Sequence, residues 1–188
     1  MLYLIPLFPF LGFLINWSLG RRLPQGVSGL VATGAMGLSF GVSAVSVWNL
    51  LHMTPVDGVR ATTDTVYTWL SSGTLQVPLE FRLDPLSSVM ILVVSGIGTL
   101  IHLYSTAYMH DEADGEYARY FSYLNLFAAF MLVLVLGASF PVMFIGWEGV
   151  GLCSYLLIGF WFTKPSAADA GKKAFIVNRI GDFGFILG

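Results

Sequence analysis

Charge is what this chain has least of. Only 11% of its 188 residues are Asp, Glu, Lys or Arg, against about 25% in a soluble domain. That excludes an ordinary globular domain with a solvated surface. The formal net charge of −2 supplies no basic face, so a nucleic-acid partner is excluded as well. One cysteine, Cys153, leaves no internal disulfide framework. The three histidines, His52, His102 and His110, are not spaced as facing haem ligands or as a zinc cluster. No glycine loop follows a strand in the way nucleotide binding requires. Cofactors and electron carriers are therefore not expected in this chain.

What is abundant is hydrocarbon: 56% of the residues are hydrophobic. Crossing a bilayer takes about 20 mostly apolar residues in a helix. That rule predicts six spans, at 2–19, 27–51, 86–108, 120–137, 141–162 and 170–188. The first is not a cleaved signal peptide, because no basic segment precedes it and Arg21 and Arg22 come after it. The odd connections hold Arg21, Arg22, Arg119, Lys164, Lys172 and Lys173, whereas the long second one holds only Arg60 and Arg82. By the positive-inside rule the odd connections face the cytoplasm or an organelle matrix, and the N-terminus faces out. The expected setting is a bacterial cell inner membrane or an organelle inner membrane. The last span reaches Gly188 with no flanking charge or aromatic belt, which predicts the front portion of a longer protein.

The connection 52–83 has a different period. In "LQVPLEFR", Leu75, Val77, Leu79 and Phe81 alternate with Gln76, Pro78, Glu80 and Arg82, the pattern of a half-buried strand. With "VYTW" before it and Ser71-Ser72-Gly73 between, the segment predicts a small outer hairpin. Pro78 suits only an edge or a bulge. Asp84 and Pro85 then provide an N-cap and a first helical residue for the third span. Gly34, Gly37 and Gly41 in the second span suggest close helix approach. The expected fold class is an all-α polytopic transmembrane bundle with one outer β-hairpin between helices 2 and 3.

Against that background Glu148, Arg179 and Asp182 stand out. A charge at the bilayer centre costs about 2.5–3.5 kcal/mol on insertion scales, so such residues face protein or water and mark ion pathways. At a rise of about 1.5 Å per residue, Glu148 falls about 10 Å below the outer boundary and Asp182 about 18 Å above the inner one. In a core about 30 Å thick they share a level, and the spacing predicts that they meet. Asn178, Arg179 and Asp182 share a helix face, and Lys172 lies seven before Arg179 towards the cytoplasmic entrance. Burial raises the proton affinity of an acid and a nearby cation lowers it again. Moving the cation would therefore switch an acid between holding and releasing a proton. The bland alternatives are a fixed Arg179–Asp182 salt bridge that locks two helices, and Lys172 as an interfacial anchor.

The stretches "GWEGVGLCSYLLIGFW" and "KKAFIVNRIGDFGF" resemble the largest antiporter-like membrane subunit of respiratory complex I, subunit L or chain 5. "FRLDPLSSVMILVVSGIGTLIHLYSTAYM" and "RYFSYLNLFAAFMLVLVL" fit the same family. The resemblance implies a membrane-arm subunit of a proton-translocating NADH:quinone oxidoreductase, set among other complex I membrane subunits in the lipid bilayer. NADH, FMN, iron–sulfur clusters and quinone would then belong to partner subunits. It also implies that Glu148 is the fifth-helix glutamate that pairs with a seventh-helix lysine beyond Gly188. Asp182 and Arg179 would match the sixth-helix aspartate and arginine, tuning that pair or relaying charge. The large subunit of a multisubunit sodium/proton antiporter shares this helical core and is the main rival. A non-pumping scaffold is the third reading.

Overall fold

Apolar runs of this length cannot leave backbone amides unpaired in hydrocarbon, so they form helices. The computed structural model describes residues 1–55, 58–73 and 75–188; the side chains of Arg21, Leu70, Ser72 and Leu75, three of which the sequence reading uses, lie outside the described set. Its helices are α1 (Leu4–Leu19), α2 (Gln25–His52), α3 (Pro85–Tyr108), α4 (Asp114–Leu136), α5 (Phe140–Ile158) and α6 (Pro165–Leu187), with strands β1 (Thr62–Ser72) and β2 (Leu75–Leu83) between α2 and α3. Among the described residues, α2, α3, α4 and α5 are long and apolar enough to cross a membrane. By contrast α1 is apolar but only 16 residues long, and α6 has the length but carries Asp169, Lys172, Lys173, Arg179 and Asp182.

The helix ends differ from the sequence reading where polar residues continue a helix past the apolar run. The fourth helix begins at Asp114 rather than near 120, because its acidic first turn (Asp114, Glu116) suits a helix N-terminus. The sixth begins at Pro165, with proline in its first turn. Asp84 caps α3: its Oδ1 accepts from the Ser87 backbone N–H at 2.9 Å, and the Asp84 N–H donates to Ser87 Oγ at 2.8 Å.

At the centre is α4, packed on α1, α2, α3 and α5, while α6 packs on α5. One end of the bundle gathers Leu2, Ile5, Leu50, Phe81, Leu83, Leu136 and Val142 into a buried cluster. There the hairpin folds over the helix ends: β1 and β2 pair antiparallel with bulges between Thr65 and Tyr67 and between Thr68 and Leu70. Pro78 pairs with Thr68 at the second bulge, where its missing N–H is tolerated. The Ala138 N–H donates to the Glu80 carbonyl at 3.0 Å. The N-terminal amine contacts the Asp64 carboxylate, to which the Leu2 N–H also donates at 2.7 Å. These contacts hold the Asp64 carboxyl below its ordinary value, the amine's hydrogen bond being the largest cause.

The other end gathers the odd connections. The Gln25 amide donates to the Glu112 carbonyl at 2.8 Å, Trp161 Nε1 donates to the Glu112 carboxylate at 3.0 Å, and Arg119 reaches the Phe160 carbonyl at 3.3 Å. The room for close approach at Gly34, Gly37 and Gly41 is not used among the described residues. A Cβ on Gly34 or Gly41 would meet nothing within 4 Å, and one on Gly37 only a Thr99 methyl at 3.9 Å. The tight approaches are at Gly146 and Gly149 of α5, where a Cβ would collide with the Leu134 backbone and the Phe130 ring.

Candidate functional site

Those two glycines decide which way the fifth helix faces. With Gly146 and Gly149 pressed on α4, Trp147 and Glu148 are turned towards α6. The Glu148 carboxylate meets Arg179 of α6 in a direct ion pair. Asp182, one turn further along, is buried to 9% of its side-chain surface, against 23% for Glu148 and 40% for Arg179. Its Oδ1 accepts from Trp147 Nε1 at 2.7 Å, and its Oδ2 lies 3.9 Å from Arg179 Nε.

Arg179 is thus shared unequally. It commits Nη1 to Glu148, while its buried Nε has no hydrogen-bond partner although a second carboxylate stands 3.9 Å away. Its guanidinium also lies 4.8 Å from the Phe175 ring centroid, which favours the cation. Beside Asp182 a cleft of about 530 Å³ opens between α4, α5 and α6, lined by Met131, Trp147, Ser154, Asn178, Asp182 and Phe185 among others. Most of its lining is apolar, with Ser154, Asn178 and Asp182 as the polar groups.

The structure brings Glu148, Arg179 and Asp182 together and keeps Lys172 apart. Lys172 pairs with Asp169 at 3.6 Å and is largely exposed. It lines a separate hollow of about 260 Å³ with Arg119, Tyr155 and Phe160. Trp147 was missed by sequence reasoning. The signal available was an indole N–H at membrane depth, which needs a partner when buried; one sequence does not say which partner. Among the described residues no three His, Cys, Asp or Glu side chains gather as a metal would require.

A bundle of apolar helices that closes around one cation and two carboxylates has the architecture of an antiporter-like membrane subunit. Comparisons with known proteins agree. The family model for the N-terminus of chain 5 of NADH-ubiquinone oxidoreductase (complex I) matches residues 69–121. The transmembrane model shared by NADH:quinone oxidoreductase and Mrp antiporters matches residues 137–188. NADH-quinone oxidoreductase subunit L of Neisseria meningitidis serogroup B is 44% identical over 189 residues, covering 100% of this chain and 27% of the relative. Subunit L of Escherichia coli K12 is 43% identical over 182 residues, covering 97% and 29%. NADH-ubiquinone oxidoreductase chain 5 of Metridium senile is 41% identical over 180 residues, covering 95% and 29%. The solved structure of the Mrp complex from Dietzia sp. superposes with a TM-score of 0.75 at 28% identity, covering 96% of this chain and 18% of that one. The chain belongs to the antiporter-like subunit family of complex I, on the subunit L (chain 5) side of it. It spans 27% of the length of the Neisseria relative.

Proposed function

We propose that this chain is part of a proton-translocating membrane-arm subunit of NADH:quinone oxidoreductase, in which Glu148 is the switching carboxylate. The observation that carries the reading is one guanidinium held between two carboxylates, bonded to Glu148 and 3.9 Å from Asp182. Arginine stays charged in proteins, so Arg179 changes the proton affinity of Glu148 only by moving. When it leans on Glu148, the acid is held ionised. When it moves towards Asp182, or when a lysine from a neighbouring helix competes, Glu148 loses its counter-charge in a low dielectric and takes a proton. Trp147 keeps Asp182 in place as the second anchor, and the cleft beside Asp182 offers the proton a way out of the cluster. Lys172, paired with Asp169 away from the cluster, takes no direct part in this switch.

The energies are commensurate. One charge crossing 100 mV is worth about 2.3 kcal/mol, and one unit of proton affinity about 1.4 kcal/mol, so a shift of under two units at one carboxylate matches the field. Directional transport still needs energy delivered from a redox arm. In this reading NADH, FMN, iron–sulfur clusters and quinone belong to partner subunits, the membrane is a bacterial or organellar inner membrane, and the N-terminus and hairpin face out. All six helices would cross, α1 and α6 with the help of protein neighbours.

The test is Glu148→Gln in the full-length protein within its assembled complex. Proton uptake per NADH oxidised should fall while assembly is kept; unchanged pumping removes Glu148 from the mechanism. For Asp182→Asn, lost assembly without a specific transport defect supports a fixed, structural ion pair instead. The likeness to the Mrp complex favours sodium/proton exchange as the second reading. Sodium flux without NADH would establish it.

A further inference from the structure

A second buried ionisable group sits on the far side of α4, outside the cluster of Glu148, Arg179 and Asp182. His102 of α3 is 1% exposed and Asn125 of α4 is 0% exposed. His102 Nδ1 lies 2.7 Å from the Gly98 carbonyl oxygen. A carbonyl only accepts, so Nδ1 carries a hydrogen and donates it. In a neutral ring Nε2 would then be an acceptor, yet it faces Asn125 Oδ1, a second acceptor, at 3.1 Å. With the amide oxygen facing the ring, that contact closes only when Nε2 also carries a hydrogen, in the imidazolium. Meanwhile Asn125 Nδ2 is buried with no partner. It rests against the backbone of α1, where a Cβ on Gly12 would stand 2.8 Å from it.

A half-turn of the amide gives the other closure: Nδ2 donates to the lone pair of a neutral ring, and Oδ1 takes the space beside Gly12. The two faces of the amide therefore match the two charge states of the imidazole. We propose that His102 and Asn125 form a second proton-holding site, in which a proton taken at His102 Nε2 is accompanied by rotation of the Asn125 amide. No bond other than N–H is made, and the proton leaves from the same nitrogen as the amide turns back.

The surroundings suit a proton held briefly. The first helix contains no ionisable side chain and presents Gly12; the second presents Met36 near Gly98 and carries only His52, at its far end. From α4 come the phenols of Tyr120, 3.2 Å from Ser105 Oγ, and Tyr117, whose ring is tilted on Phe121. On α3 itself the neighbouring polar groups are Ser95, Thr99 and Ser105. Among the described residues no carboxylate contacts the ring and two carbonyl oxygens hold the imidazolium, and a charge so placed is poised to leave.

One hollow touches His102, and another opens a turn of α4 away from Asn125. On the inner side a cleft of about 660 Å³ is lined by Asn16, Glu116, Arg119 and Ser122; Ser122 is one turn from Asn125 on the same helix face. On the other side a hollow of about 220 Å³ touches His102 and Met131, and Met131 also lines the cleft beside Asp182. Transfer from His102 past Met131 to Asp182 rests on the proton-translocation reading. The chemistry of the pair does not.

The experiment is isotope-edited infrared difference spectroscopy on the full-length protein in its assembled complex, with ring-labelled histidine and amide-labelled asparagine. The expected result is an imidazole signal and an asparagine amide signal that change at one shared pH midpoint. Both should be lost in His102→Gln, the amide signal alone should be lost in Asn125→Leu, and both should persist in Glu148→Gln. A His102 ring that keeps one charge state at every pH where the complex stays assembled overturns the proposal, as does an amide signal that does not follow the ring. If His102→Gln fails to assemble, the shared midpoint in wild type and a shift of the imidazole midpoint in Asn125→Leu decide the matter; an imidazole midpoint unmoved in Asn125→Leu overturns the coupling. Titrating signals together with unimpaired pumping in Asn125→Leu would overturn the route to Asp182.

Discussion

The fourth and sixth helices are each 23 residues long, and they are opposite in kind. Ten residues of α4 are buried, and four other helices lean on it. In α6 the buried residues are Gly171 and Asp182, while Ile176, Val177, Ile180, Phe183, Ile186 and Leu187 are exposed. The first is a post that the bundle is built around. The second is held by few contacts, and its one buried side chain larger than glycine's hydrogen is an acid. A helix fixed by packing and a helix fixed by charge respond to different perturbations, and variants on each side test that difference.

The largest effect is expected on the packed side. Gly146→Ala places a methyl group into the Leu134 backbone, which no side-chain rotation relieves, so α5 must move off α4. Overpacking of this kind typically costs about 1–3 kcal/mol, more where backbone must shift. The full-length protein should lose most of its assembled complex on native gels. Normal assembly would mean that α4 is not the rigid post described here.

Arg179→Ala comes next, on the charged side. It strips the counter-charge from Glu148 and removes the guanidinium beside Asp182. Breaking a fully buried pair costs about 3–5 kcal/mol; Arg179 keeps 40% of its side-chain exposure, so the loss should be smaller, because the stranded acids can protonate. Thermal stability should fall modestly while proton transport falls several-fold. Equal losses of both would make the cluster a structural clamp.

How much of this was legible follows from the same contrast. The hairpin and the Asp84 cap depend on local patterns, period two in "LQVPLEFR" and an Asp-Pro start, and both stand in the structure. The meeting of Glu148, Arg179 and Asp182 was legible because depth along antiparallel helices is simple arithmetic once the ends are placed. The glycines were not: Gly34, Gly37 and Gly41 carry the recognisable spacing and meet almost nothing, while Gly146 and Gly149 make the contact. Spacing says that a small face exists, and only the partner helix says whether it is used. His102 with Asn125 and Trp147 with Asp182 were hidden for the same reason, since each pair joins residues of different helices.

At the hairpin end, Asp84→Ala removes the α3 cap, at a cost of about 0.5–2 kcal/mol, without touching the charge cluster. Asp84 is held below its ordinary value of 3.8, first by the Ser87 backbone N–H, then by the Ser87 hydroxyl and Arg82. A carboxylate held low adds stability that is fully present above the ordinary value and is lost as pH falls through the lower folded one. Wild type should therefore lose part of its acid stability in that window. The variant should have lost it already, so the two melting curves should converge at low pH. Transport at neutral pH should be unchanged.

The smallest effect sharpens the comparison most cheaply. Gly34→Ala puts the same methyl group as Gly146→Ala into a helix, yet nothing lies within 4 Å of it. Surface changes of this kind usually stay within about 0.5 kcal/mol, and alanine favours helix over glycine by nearly 1 kcal/mol. Stability of the assembled complex should be equal or slightly higher. A severe assembly defect at Gly34 would mean that another element presses on the second helix there, so that its small-residue face is used after all, by a partner outside these six helices.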